Sequence, residues 1–304
     1  MKKILKKLII FGVISTLLGI GLVVINEKKD LWDFKIADLR SLKTYDDFSS
    51  KNILVIERRK GGNKIIFSKN RKEKVEPASL TKIMTAWVAL EHIEDLQGQA
   101  PIDVESYRDM ITKNASMAGF YGYEKTTYQD LLYGTLLASG GEAANTLAIR
   151  TAGSKEVFIE WMNDKAKELK LKNTHYSNPE GLHEKEEYTT ADDIATVLDA
   201  ALENKNFRQI FTSRQYRSSS TADHPQGVLI ESTVLRWILP EDEKDFQIIG
   251  GKSGTTMDAG ACWATLATKD QREYIVVVMG SPLEDLANKE MLQKRDTLEL
   301  LKRI

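Results

Sequence analysis

Strand patterns at both ends of the chain, with helical patterns between them, predict a single α/β domain. Its mostly antiparallel sheet is assembled from both chain ends, and a helical lobe is inserted in it. Three observations carry this. "NILVIERR" and "NKIIFSKN" flank Lys60-Gly61-Gly62-Asn63, a hairpin signal near the N-terminal end. "FQIIGGKSGTT", "ACWATLAT" and "EYIVVVMG" read as three successive strands near the C-terminal end. Between them, apolar residues recur at helical spacing, with cap signals ahead of them.

The first thirty residues come before that domain. Lys2, Lys3, Lys6 and Lys7 precede an apolar run from Leu8 to Ile25, and Asn26-Glu27-Lys28-Lys29-Asp30 follows. This reads as a short basic cytoplasmic end (1–7) and a transmembrane anchor or signal segment (8–25). No small-x-small site stands at its end, which favours an uncleaved anchor over a cleaved signal. Either way the lysine-rich end stays inside and the remainder crosses the cell membrane. Residues 26–48 are polar and charged and read as a linker, leaving 49–304 as the folded domain. The expected location is the cell membrane, single-pass, with the domain outside the cytoplasm.

Within the domain, the opening strand pair leads to "EPASLTKIMTAWVALE". Pro77 suits a first helical position, and Leu80, Ile83, Met84, Trp87 and Val88 share one face. Thr127-x-x-Asp130 before "LLYGTLLA" and Thr190-x-x-Asp193 before "IATVLDAAL" read as capping boxes. "VFIEWMNDKAKEL" is amphipathic, and residues from about Pro282 to Ile304 read as a closing helix.

Composition excludes several function classes. The formal net charge is −1, and six of the lysines lie in the first thirty residues, so the domain offers no basic surface for nucleic acid. A single cysteine, Cys262, rules out an intramolecular disulfide framework. His92, His175, His183 and His224 show no metal-ligand spacing. "GGKSG" resembles the tail of a phosphate-binding loop, but the position that must be glycine is Phe246.

Three short stretches could carry chemistry. Ser79 is the only serine with a lysine, Lys82, three residues on. At that spacing the amine can approach the hydroxyl, beside the free N–H groups of a helix start. A lysine works there as a base only if burial or another cation lowers its pKa. Ser139-Gly140-Gly141 interrupts two helical runs, which fits either a plain helix–helix turn or a hydroxyl presented at a corner. In "GGKSGTT", small residues around Lys252 would let an extended ligand lie along the strand edge.

In this order and company, the stretches resemble the serine-type D-alanyl-D-alanine carboxypeptidases, the low-molecular-mass penicillin-binding proteins. The resemblance runs from about residue 50 to 300. "PASLTK" looks like that family's nucleophile motif and "SGG" like its second motif. "NPEGL", Asn178 to Leu182, resembles its Asn-Pro-x-Gly-Leu segment, and "KSG" its Lys-Thr-Gly strand with serine in place of threonine.

The resemblance implies a β-lactamase/DD-peptidase-like fold and a roster of roles. Ser79 attacks the carbonyl between two terminal D-alanines and becomes acylated. Lys82 takes its proton and later helps activate water, and Ser139 relays a proton to the leaving D-alanine. Lys252, Ser253, Gly254 and Thr255 hold the substrate, and Lys252 adds field that depresses the pKa of Lys82. The N–H groups of Ser79 and Thr255 form the oxyanion hole.

It also implies partners: the peptidoglycan stem peptide ending in D-Ala-D-Ala, and β-lactams as covalent inhibitors. No metal or cofactor is called for. One departure stands out, because the second motif has Gly141 where that family usually has asparagine. A β-lactamase, or a catalytically impaired penicillin- or wall-binding protein, are the alternatives. The first lacks support from any Glu-x-x-Leu-Asn segment.

Overall fold

The computed structural model describes residues 47–283 and 291–304. The basic-apolar segment, most of the linker and the first part of the expected closing helix lie outside the described residues. Among the described residues, no helix is long and apolar enough to cross a membrane.

Strands β1 (Asn52–Glu57) and β2 (Lys64–Lys69) form the expected hairpin. A short 3-10 turn, Ala78–Leu80, then leads into α1 (Thr81–His92). The helical lobe continues with α2 (Val104–Thr112), α3 (Tyr128–Leu136), α4 (Gly141–Ala152), α5 (Lys155–Glu168), α6 (Ala191–Ala201) and α7 (Lys205–Phe211). A two-stranded ribbon, β3 (Gln215–Arg217) with β4 (Leu229–Glu231), had no signal in the sequence. Strands β5 (Gln247–Thr256), β6 (Gly260–Lys269) and β7 (Arg272–Ser281) follow, then α8 (Leu292–Arg303).

The main sheet runs β2-β1-β7-β6-β5 with every neighbour antiparallel. The first hairpin therefore joins the last strands through β1 and β7, as strands at both chain ends predict. Strand alternation then divides the core in two. Leu54, Ile56, Ile275 and Val277 face the helical lobe with α1. Ile53, Val55, Val276 and Val278 face away, against Leu298 and Leu301 of α8 and Val234 and Ile238 of the segment before β5. All six residues of β1 are buried, since both faces of this inner strand are covered.

Helix α1 is the spine of the lobe. Ten of its twelve residues are buried, including Lys82, so it is covered nearly all round and not on one stripe alone. The capping box at Thr127 and Asp130 is complete. At Thr190 only half of one forms: its side chain accepts from the Asp193 N–H, while the Asp193 carboxylate accepts from Thr174 Oγ1 at 2.7 Å.

The described part of the expected closing helix is α8, from Leu292. One boundary differs from the sequence reading. Ser79 lies in the 3-10 turn ahead of α1, with Pro77 before that turn, and not in the first α-helical turn. Ala78, at φ +47°, sets the chain in a left-handed conformation that cannot belong to an α-helix.

Candidate active site

The 3-10 turn places Ser79 just ahead of Lys82, because residues three apart in such a turn eclipse one another. The Lys82 Nζ lies 3.0 Å from Ser79 Oγ and donates to the Glu180 carbonyl at 2.5 Å. Strand β5 crosses directly over this turn. A Cβ at Gly254 would come within 3.0 Å of the Ser79 nitrogen, so only glycine allows that approach. The two-residue period of the strand puts Lys252 on the same face as Gly254. From there Lys252 Nζ donates to Ser139 Oγ at 2.8 Å and to its neighbour's carbonyl, Ser253 O, at 2.7 Å.

Ser139 occupies the corner between α3 and α4 in the left-handed region, at φ +62°. That conformation is uncommon for serine, and the surrounding packing holds it there. The corner is thus a built feature and not a loose turn.

Ser79 and Lys82 open on a cavity of about 100 Å³ that Gly141, Glu180, Gly181 and Thr255 also line, with Asn114–Ser116 on one wall; Ser139 and Lys252 do not line it. A larger hollow of about 430 Å³, lined by Arg58, Asp199, Glu203 and Glu273, is an ion-pair network away from these residues.

Burial shapes the charges. Desolvation lowers Lys82 to about 8, against the opposing pull of Glu180, Glu142 and Glu187. Lys252 is pushed well below the usual lysine value by burial and then by the like charge of Lys82. Desolvation is thus the main cause at both lysines, and the like charges of the two amines lie close enough to repel.

The loop 178–187 forms one wall. Asn178 Nδ2 donates to Leu182 O at 2.8 Å and to Glu187 Oε2 at 2.6 Å, while its Oδ1 accepts from the Glu180 and Gly181 amides. Thr81 Oγ1 donates to Glu187 Oε1 at 2.7 Å, and Thr85 Oγ1 to Pro179 O at 2.7 Å. Gly181, at φ +73°, lies so close to the Ala78 carbonyl that no side chain fits. Buried Glu187 rises to about 8, chiefly by desolvation, with the Thr81 bond opposing.

The opposite wall explains the departure at Gly141. A Cβ there would meet the Met110 Sδ at 2.5 Å, so the buried Met110 thioether occupies the space beside that position. Asn145, one turn along α4, does not stand in for the missing amide. It is fully buried, lines no part of the cavity, and neither of its side-chain polar atoms has a partner.

Several neighbours carried no signal in the sequence. Glu142 accepts from the Ala118 and Gly119 amides and so ties down the segment after α2. Thr233 Oγ1 accepts from Ser253 Oγ at 2.7 Å, which gives the segment around Trp237 a purpose: it braces β5. His183 Nδ1 lies 2.6 Å from Glu76 and 3.6 Å from Asp258, a surface trio that could hold a cation. Their hydrogen bond and charge raise the imidazole pKa. Charged residues far apart in the sequence give no hint of such meetings.

Comparison with known proteins identifies the family and the fold. The family model described as D-alanyl-D-alanine carboxypeptidase matches residues 40–282. D-alanyl-D-alanine carboxypeptidase DacF of Bacillus subtilis is 28% identical over 81% of this chain and 61% of its own length. A D-alanyl-D-alanine endopeptidase of Escherichia coli is 30% identical over 71% of this chain and 67% of its own. The crystal structure of a Streptomyces DD-transpeptidase superposes with a TM-score of 0.73 at 24% identity, over 84% of this chain and 97% of that one, and so shares the fold. The chain spans between 54% and 61% of the length of DacF and of two Escherichia coli relatives, DacD and DacC.

Proposed function

The chain belongs to the D-alanyl-D-alanine carboxypeptidase family, and from that membership we propose that it is a serine-type carboxypeptidase. It removes the terminal D-alanine from peptidoglycan stem peptides through an acyl-enzyme on Ser79. The observation that carries the proposal is the 3.0 Å approach of Ser79 Oγ to a buried lysine lowered to about 8.

With Lys82 neutral, its lone pair takes the Ser79 proton as the oxygen attacks the scissile carbonyl. The Glu180 carbonyl keeps the amine oriented. The developing oxyanion lies between the Ser79 and Thr255 amides, where fixed dipoles act in a water-poor site. Ser139, held by Lys252, passes a proton to the departing D-alanine nitrogen. Lys252, Ser253, Gly254 and Thr255 hold the substrate along the edge of β5, with the terminal carboxylate facing the hydroxyls and the lysine.

The same attack opens a β-lactam ring, so penicillins acylate Ser79 and are retained. The basic-apolar segment 1–25 supports a membrane-tethered location with the domain outside the cytoplasm, where this substrate lies. Fractionation of cells followed by protease protection tests that placement.

The reaction is tested by D-alanine release from acyl-Lys-D-Ala-D-Ala. Release should be abolished by Ser79→Ala and by penicillin. No release by the unmodified protein would favour a penicillin-binding module in which Gly141 has cost the activity.

A further inference from the structure

Three buried carboxyl groups surround Lys82, and their hydrogen bonding separates them. Glu187 has both oxygens engaged, by Thr81 and Asn178. Glu142 has one oxygen on two backbone amides and its Oε2 buried without a partner, but it packs against Gly140 and does not line the cavity. Glu180 differs from both in its place at the cavity. It lines the cavity together with Ser79 and Lys82, is 4% exposed, and its Oε2 is buried without a hydrogen-bond partner.

A bare buried carboxyl oxygen costs on the order of 1–3 kcal/mol or more. Its backbone offers no escape, because its N–H is held by Asn178 and its carbonyl by Lys82. A water needs only about 10–15 Å³ of free volume and two or more polar partners. The cavity, at about 100 Å³, has the room, and Ser79, Lys82 and Glu180 are among the polar residues around it, with Asn114, Ser116, Thr255 and Thr256.

We propose that Glu180 is the general base for the second half of the reaction, taking a proton from the water that hydrolyses the Ser79 ester. This rests on the acyl-enzyme reading above. The water oxygen bonds to the ester carbon while its proton passes to the Glu180 carboxylate. The tetrahedral intermediate then collapses by breaking the bond from carbon to Ser79 Oγ. The proton held by the Glu180 carboxyl is relayed through the Lys82 amine to that oxygen as it departs. The products are a free peptide acid, a Ser79 hydroxyl, a neutral Lys82 and an ionised Glu180.

Electrostatics agree with the role. Burial raises the Glu180 pKa and Lys82 opposes the rise, which brings the carboxyl toward the range where a base works well near neutral pH. The division of labour is also physical. Lys82 sits on the hydroxyl it deprotonates, whereas Glu180 lies beyond it and reaches the site through a water.

The test separates formation of the penicilloyl adduct from its release, using the full chain and benzylpenicillin. Glu180→Gln should form the adduct within about threefold of the unmodified rate and release it about a hundredfold or more slowly, the scale of a lost general base. Glu180→Asp, which keeps a carboxylate, should regain part of the release rate. In the unmodified protein, release should fall at low pH as one carboxyl is protonated, and Glu180→Gln should lack that limb.

Release by Glu180→Gln at the unmodified rate would overturn the proposal. So would an equal loss of formation and release in both variants, which would mark Glu180 as a structural support for Lys82. Absence of any adduct on the unmodified protein would overturn the proposed reaction itself.

Discussion

Around Lys82, the wall formed by residues 178–187 is held by buried hydrogen bonds from Asn178, Thr81 and Thr85. The wall formed by Ser139–Gly141 has one side-chain hydrogen bond, from Lys252 to Ser139, and is otherwise held by backbone bonds from the Gly140 and Gly141 amides and by Met110 packed against Gly141. The first wall fixes the base and whatever water reaches it. The second would normally grip the substrate, and here it has traded a side-chain amide for a thioether. Side-chain hydrogen bonding is thus concentrated on the wall that holds Lys82, while the Ser139–Gly141 wall relies on backbone bonds and packing.

Substitutions can break that contrast, and the largest effect should come from the side that holds Lys82. Lys82→Ala removes the base, so acylation by penicillin should slow by about 10²–10⁴-fold, read by stopped-flow or labelled adduct. The same pair predicts a pH profile. Protonated Lys82 cannot accept the Ser79 proton, so acylation should fall tenfold per pH unit well below about 8 and level off above it. A profile flat from pH 6 to 9 would remove Lys82 from the role.

Asn178→Ala cuts four bonds of the same wall and leaves Glu187 short of a partner. It should destabilise the fold by about 3 kcal/mol, measured by denaturant unfolding.

The Ser139–Gly141 wall should respond differently. Gly141→Asn forces a side chain into Met110 and should cost about 1–3 kcal/mol by overpacking. With Met110→Ala in the same chain, the combined loss should be smaller than the sum by about 1 kcal/mol or more, because the two sites share one space. Additive losses would show that Met110 and Gly141 are independent.

The contrast also marks what was legible in the sequence. The sheet from both chain ends followed from alternating apolar runs and a glycine-rich turn, which are local signals. Ser79 and Lys82 could be paired because three residues of spacing fix a face. Ser139 and Lys252, more than a hundred residues apart, could be joined only by resemblance to a family.

The start of α1 was misplaced because the left-handed φ of Ala78 comes from tertiary contact with the 181 loop and not from alanine's own preference. Likewise, nothing local distinguishes Glu180 and Glu187 from the exposed glutamates nearby, since their burial is decided by α1 packing over them. The lowering of both Lys82 and Lys252 by burial has the same origin, because depth below the surface is not written in spacing.

The central claim is that Ser79, with Lys82 beside it, is the nucleophile, and peptide mapping after treatment with labelled penicillin tests it most directly. The label should appear on the peptide that contains Ser79, at one per chain, and vanish in Ser79→Ala while the fold persists. Label on Ser139 or elsewhere, or none on a folded protein, would contradict the account.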